Sequence, residues 1–201
     1  MKKLLLVILV INIHFVLTAQ DNTQTEKGML SLGGRTTYSI FQNEPGLGMG
    51  GQFRIRLSNR VNTEWYADYI SSSFYNMAAR TDYHIGWSVF FYPFQYASSK
   101  MFQPFLEAGH CFDYTEVTNN YTLDSKNRFS SAVQMGLGSH FNLTEKFDVT
   151  LKSQYMIHLG TDIHVEKNNE GIVIEKHEGS SLEGHLLITI SLNYKIARLW
   201  K

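Results

Sequence analysis

The sequence predicts an all-β protein, an eight-stranded antiparallel up-and-down β-barrel that crosses a membrane. Three observations predict it. Residues of two kinds alternate with a period of two along almost the whole chain after residue 27, the mark of strands with two different faces. The connections between those segments alternate between short and long. The polar face carries charged side chains interspersed with glycines, whereas the apolar face carries large aromatics near the strand ends.

The first segment differs from the rest. Lys2 and Lys3 precede an apolar run from Leu4 to Val16, and Leu17-Thr18-Ala19 ends it on a small residue. This is the order of a secretory signal peptide, cleaved near Ala19. A membrane-spanning helix needs about 20 apolar residues, and Gln20-Asp21-Asn22 interrupts too early. The expected organisation is a signal peptide at 1–19, a polar lead-in at 20–27, the barrel at 28–196 and a tail at 197–201.

Eighteen basic and eighteen acidic residues cancel, so no electrostatic footprint for nucleic acid exists. A single cysteine, Cys111, excludes an intramolecular disulfide and is read as a residue of the barrel wall.

The eight segments follow in order. Leu30, Leu32, Tyr38 and Ile40 oppose Ser31, Gly33, Arg35, Thr37 and Ser39. Leu47, Met49, Phe53, Ile55 and Leu57 oppose Gln52, Arg54 and Arg56. Val61, Thr63, Trp65, Ala67 and Tyr69 oppose Asn62, Glu64, Tyr66 and Asp68. Tyr83, Ile85, Trp87, Val89 and Phe91 oppose Asp82, His84, Gly86 and Ser88. Leu106, Ala108, Phe112 and Tyr114 oppose Glu107, Gly109 and Asp113, with His110 the exception. Val133, Met135, Leu137 and Phe141 oppose Gln134, Gly136, Gly138 and His140. In the last two segments, Phe147–Leu159 and Leu182–Tyr194, the polar faces carry Asp148, Lys152, His158, Glu183 and His185.

Alternation alone does not say which face is inside. The polar face decides it. A narrow eight-stranded lumen is filled by its own side chains, and small residues such as Gly86 and Gly138 leave room for long charged ones to cross it. The expectation is a lumen network of Arg35, Arg54, Arg56, Glu64, Asp68, Glu107, Lys152 and Glu183. Arg54 and Arg56 are expected to pair with carboxylates among Glu64, Asp68, Glu107 and Glu183, forming a plug, because buried charges require partners. Trp65, Tyr69, Phe91, Phe141, Phe147 and Tyr194 suit the aromatic girdles of a membrane barrel.

The signal peptide, Phe105-Leu106-Glu107-Ala108-Gly109, the strand-turn-strand of Gln134–Tyr155 and the closing Leu192-Asn193-Tyr194 together resemble the small OmpA/OmpW-like outer-membrane β-barrel proteins. The resemblance spans most of residues 28–196. It implies a bacterial outer-membrane location, contact with outer-membrane lipid and assembly by the barrel-assembly machinery, with the chain as a monomer. Barrels of this kind end on an aromatic. Here Tyr194 is followed by further residues, and Trp200 is penultimate.

Two constellations invite chemistry. His158, Asp162 and His164 share a face by parity, with His177 and His185 on the return strand. Imidazole and carboxylate suit Zn or Cu, although no strong metal spacing is present. Pro104–Gly109 is similar to a stretch of the PagL-type lipid A deacylases. That family uses a His-x-Ser-Asn run, whereas His158-Leu159-Gly160-Thr161 places Gly at the nucleophile. Thr161, Ser180 and Ser181 are the nearest hydroxyls in sequence, and Glu183 is the candidate acid.

The sequence therefore assigns no catalytic, cofactor-binding or metal-ligating residue. It points to a non-enzymatic barrel with a structural or surface-interaction role through its outer loops, its surface ligand unnamed. The alternatives are a lipid A-type acyl hydrolase and a small-solute channel.

Overall fold

The computed structural model describes the backbone of residues 26–41, 44–168 and 171–200, and the side chains among them other than residues 41, 162, 168 and 177–183. The expected signal peptide and most of the lead-in lie outside these residues. Eight strands follow in sequence: β1 Met29–Phe41, β2 Glu44–Arg56, β3 Val61–Phe74, β4 Ala78–Phe91, β5 Phe102–Asn119, β6 Ser125–Asn142, β7 Phe147–Asn168 and β8 Gly171–Arg198. Each pairs antiparallel with the next, and β8 returns to β1, closing the sheet. Closure leaves no edge, so every strand finds its backbone partners within the chain.

The strands run beyond the alternating segments read from sequence. Glu116–Asn119 and Ser125–Lys126 continue the ladder, so the β5–β6 loop shrinks to residues 120–124. The connection that follows His158 is a β-hairpin, as the turn residues around 168–171 suggest, in which Asp162 pairs with His177, His164 with Glu175 and Asn168 with Gly171. β8 passes Tyr194 and takes in Ala197 and Arg198, which pair with Leu30 and Met29. The expected tail thus contributes to the seam.

Two short turns share one design. Ser58 Oγ accepts from the Arg60 and Val61 amides, and Thr144 Oγ1 accepts from those of Lys146 and Phe147. Hydroxyl side chains bonding forward along their own backbone are a turn device. At the opposite end, Tyr75 and Asn76 both adopt positive φ (53° and 57°) beneath a Met77-to-Phe74 hydrogen bond, the twist-compatible form for a tight hairpin.

Parity breaks once in β7. The ladder with β8 shifts between Gly160 and Asp162, and Gly160 has a φ of +120°. A bulge inserts one residue and reverses which faces the following side chains meet. Ile163 and Val165 therefore turn inward and are buried, while His164 is half-buried. They join Phe74, Ala78 and Val117 in an apolar cluster, with Ile172 and Ile174 packed against it.

Candidate functional site in the barrel lumen

The outer face is apolar. Leu47, Met49, Ile85, Met135, Leu137 and Ile190 are each more than half exposed. Aromatic rows cross it near both ends: Tyr69, Tyr83 and Tyr114 on neighbouring strands, and Phe147 against Tyr194, with Phe102 against Phe141, toward the short turns. Arg35, Arg54, Arg56, Glu64, Asp68, Glu107 and Lys152 all point inward and are at most 5% exposed. This is the inverse of a water-soluble barrel.

Inside, the side chains stack in layers. Toward the short turns lies an aromatic layer of Phe90, Tyr92, Tyr96 and Phe105. Tyr92 and Tyr96 come from the start of the β4–β5 connection, which folds in beneath the barrel mouth. The Tyr96 hydroxyl donates to Asn142 Oδ1 at 2.7 Å, and Asn142 Nδ2 in turn donates to the Lys100 carbonyl at 2.7 Å. Burial pushes the Tyr96 phenol above its usual range. Arg56 rests on this layer, its guanidinium 3.3 Å from the Tyr96 ring centre and 5.2 Å from that of Tyr92. No carboxylate pairs with Arg56 among the described residues. The expected ion pair is replaced by a cation over two π-faces, an arrangement that gains strength when desolvated.

The next layers hold the ion pairs. Arg54 forks onto both oxygens of Asp148, at 2.6 and 2.7 Å, and its other amino group reaches His140 Nδ1 at 2.8 Å. None of the four carboxylates expected for Arg54 is its partner. Arg35 instead contacts Glu64 at 3.3 Å and Asp68 at 3.0 Å, and covers the Tyr66 ring at 4.3 Å. Lys152 donates to Glu64 at 2.8 Å and Glu107 at 3.0 Å. Four cations, Arg35, Arg54, Arg56 and Lys152, thus face four carboxylates, Glu64, Asp68, Glu107 and Asp148. Neutrality of this kind is required where water cannot screen. The expected eighth member, Glu183, pairs by backbone with His158, and its side chain lies outside the described residues.

The small residues fit the purpose read from sequence. A Cβ on Gly138 would come 2.7 Å from both Lys152 Cβ and Phe105 Cζ, too close for a real contact. Gly138 therefore leaves the volume that these two side chains occupy.

Beyond the ion pairs, Tyr66, Ile70, Cys111, Ala132, Met156 and Leu187 form an apolar layer. Cys111 thus faces the lumen, with its Sγ 3.6 Å from Met156 Sδ. A second polar layer follows, sealed on its far side by the apolar cluster of Phe74, Val117 and Ile163. In it, Arg80 pairs with Asp82 at 3.0 Å. Asp113 contacts His84 Nε2 at 3.2 Å, His158 Nδ1 at 3.0 Å and Arg128 at 3.5 Å. The His185 ring lies against His158, tilted at 55° with centroids 4.6 Å apart.

The sequence grouping of His158 with Asp162 and His164 is corrected here. The bulge at Gly160 takes His164 off the face of His158, and His84 and Asp113 replace it. Sequence reasoning placed His84 and Asp113 on the polar face, but it had no means of knowing that strands β4, β5 and β7 converge there.

A hydroxyl does approach His158, though not one of those expected. Ser130 Oγ lies 3.5 Å from His158 Nδ1 and 3.4 Å from Asp113 Oδ2. A nucleophile and an acid must occupy opposite nitrogens of the imidazole for proton relay. Here both stand at Nδ1, so the trio is a hydrogen-bonded knot. The side chains of Ser180, Ser181 and Glu183 lie outside the described residues.

No family model matches the chain, and no curated protein matches it. Solved structures do. The N-terminal β-barrel domain of Pseudomonas aeruginosa OprF aligns at a TM-score of 0.56 with 10% identity, over 86% of this chain and 100% of that one. Neisserial surface protein A aligns at 0.57 with 12% identity, over 86% and 99%. The outer-membrane protein AlkL, solved in lipid bilayers, aligns at 0.54 with 10% identity, over 87% and 94%. The chain has the closed eight-stranded fold of small outer-membrane β-barrels.

Proposed function

We propose that this protein resides in the bacterial outer membrane as a plugged barrel, and that its role is structural or surface-interacting rather than catalytic. One observation carries the reading: large apolar side chains cover the outside, while charges are buried and paired within. Water would penalise that outer surface, and lipid would favour it. The closed ladder meets the further demand that lipid leaves no backbone group unpaired. The solved barrels of the same fold include surface and outer-membrane proteins, in keeping with this location.

A channel role is disfavoured by the layers spanning the lumen, and acyl hydrolysis by the placement of Ser130 and Asp113 on one imidazole nitrogen. The long β5–β6 and β7–β8 hairpins project from the end opposite the short turns, and they supply the surface for interaction. Expression in a Gram-negative host tests the proposal. The protein should fractionate with the outer membrane and migrate faster on gels unless boiled. Recovery from the soluble periplasm without detergent would reject it. Purified protein should neither hydrolyse lipid A nor conduct in planar bilayers.

A further inference from the structure

A polar layer lies between the two apolar clusters of the lumen. Its centre is a carboxylate held between two imidazoles. Each of His84, Asp113 and His158 offers one donor atom, and those three atoms all lie within 4.8 Å of one another. The three residues are at most 1% exposed. Nδ1 of His84 and Nε2 of His158 lack a hydrogen-bond partner among the protein atoms. Buried polar atoms left in that state are costly and call for an explanation.

We propose that His84, Asp113 and His158 form a binding site for a transition-metal dication of the zinc class, enclosed in the outer half of the barrel. The donor set is two imidazoles and a carboxylate, the mixed nitrogen and oxygen set such ions take, with a fourth position left for water or a further imidazole. Tetrahedral bonds of about 2.0–2.1 Å separate neighbouring donors by about 3.4 Å. His84 Nε2 lies 3.2 Å from Asp113 Oδ1 and His158 Nδ1 lies 3.0 Å from Asp113 Oδ2, each near that spacing. The His185 ring, tilted at 55° with its centre 4.6 Å from that of His158, is the next imidazole beside the cluster. Arg128, 3.5 Å from Asp113 Oδ2, brings a positive charge beside the carboxylate.

Charge sets the conditions. Arg80 and Arg128 offset Asp82 and Asp113, and each ligating imidazole nitrogen must be free of its proton for the ion to enter. Ile163 and Val165, turned inward by the Gly160 bulge, close the layer toward the outer mouth. The ion's entry is thus tied to movement of the β7–β8 hairpin.

The test uses the full folded barrel in detergent, with Zn2+ in calorimetry and Co2+ in visible absorption as probes. The expected result is one ion per chain and a cobalt spectrum of low coordination number. H84Q and H158Q should each weaken Zn2+ binding by at least the 10–100-fold that loss of an outer partner alone costs. H164Q, off the site, should bind as the native chain does. Heat-modifiable migration reports whether each variant is folded, and D113N serves if either histidine variant is not. Absence of Zn2+ binding overturns the proposal. So does binding that survives H84Q and H158Q, or that H164Q removes, since it would belong to surface histidines.

Discussion

Arg54 and Arg56 occupy neighbouring inward positions on one strand, yet they answer burial differently. Arg54 meets both oxygens of a carboxylate through one amino group, while Arg56 meets two tyrosine rings. Removing one partner of a buried pair leaves an uncompensated charge, at a cost of about 3–5 kcal/mol. Asp148→Ala should therefore lower unfolding free energy by about that amount in urea titrations of the barrel in lipid vesicles. The double variant Arg54→Met with Asp148→Leu should recover most of it, because an apolar pair of similar volume is often neutral. Arg56→Met should cost about 2 kcal/mol, the order of a desolvated cation–π contact. A loss as large as that of Asp148→Ala would show that Arg56 has an acidic partner. Both arginines were legible as lumen residues from parity alone. Their partners were not. Asp148 is 94 residues from Arg54 in sequence, and only barrel closure and strand stagger bring the two together.

Two elements depart from the simple hairpin pattern, and each closes one end of the lumen. The β4–β5 connection brings Tyr96 into contact with Arg56 and Asn142. Truncating large buried aromatics typically costs about 3–5 kcal/mol, so Tyr92→Ala with Tyr96→Ala should lower thermal stability. The variant should still pass no current in planar bilayers, because the Arg54–Asp148 and Lys152–Glu64–Glu107 layers lie above the strap. A conducting variant would show that the strap alone is the barrier. At the other end, Gly160 holds a φ of +120° that a side chain adopts with strain of about 1–3 kcal/mol. Gly160→Val should loosen the β7–β8 hairpin and speed proteolytic nicking within residues 160–181, with the rest of the barrel intact. Unchanged protection would mean that the bulge does not anchor the apolar cap. No sequence cue marked either device. A connecting segment does not announce that it will fold back into the lumen, and a single glycine in an alternating run does not announce a reversal of faces.

At the scale of the molecule, the protein is a barrel turned inside out relative to water. Met135 is 69% exposed near the middle of β6. Arg at that position should destabilise the barrel in lipid by about 2–4 kcal/mol, the cost of a cation at the bilayer midplane. Arg in place of Tyr121, exposed in the β5–β6 loop, should change stability little. Equal effects at the two positions would argue against a membrane-facing wall. The same inversion keeps the interior dry enough for paired charges to matter and for a buried His–Asp–His cluster to bind an ion.

The sequence by itself determined the strand count, the alternation and the identity of the lumen face. These depend only on a period of two and on the chemical contrast between faces, both local properties of a strand. It also marked Gly86 and Gly138 as space for larger neighbours. Only the tertiary structure decided which charges meet, how the two ends are sealed and where the histidines gather. Each of those depends on the stagger at which β8 meets β1, on the bulge at Gly160, and on a connection folded back into the mouth. A closed sheet converts such shifts into new neighbours across the lumen, and no window of consecutive residues contains that information.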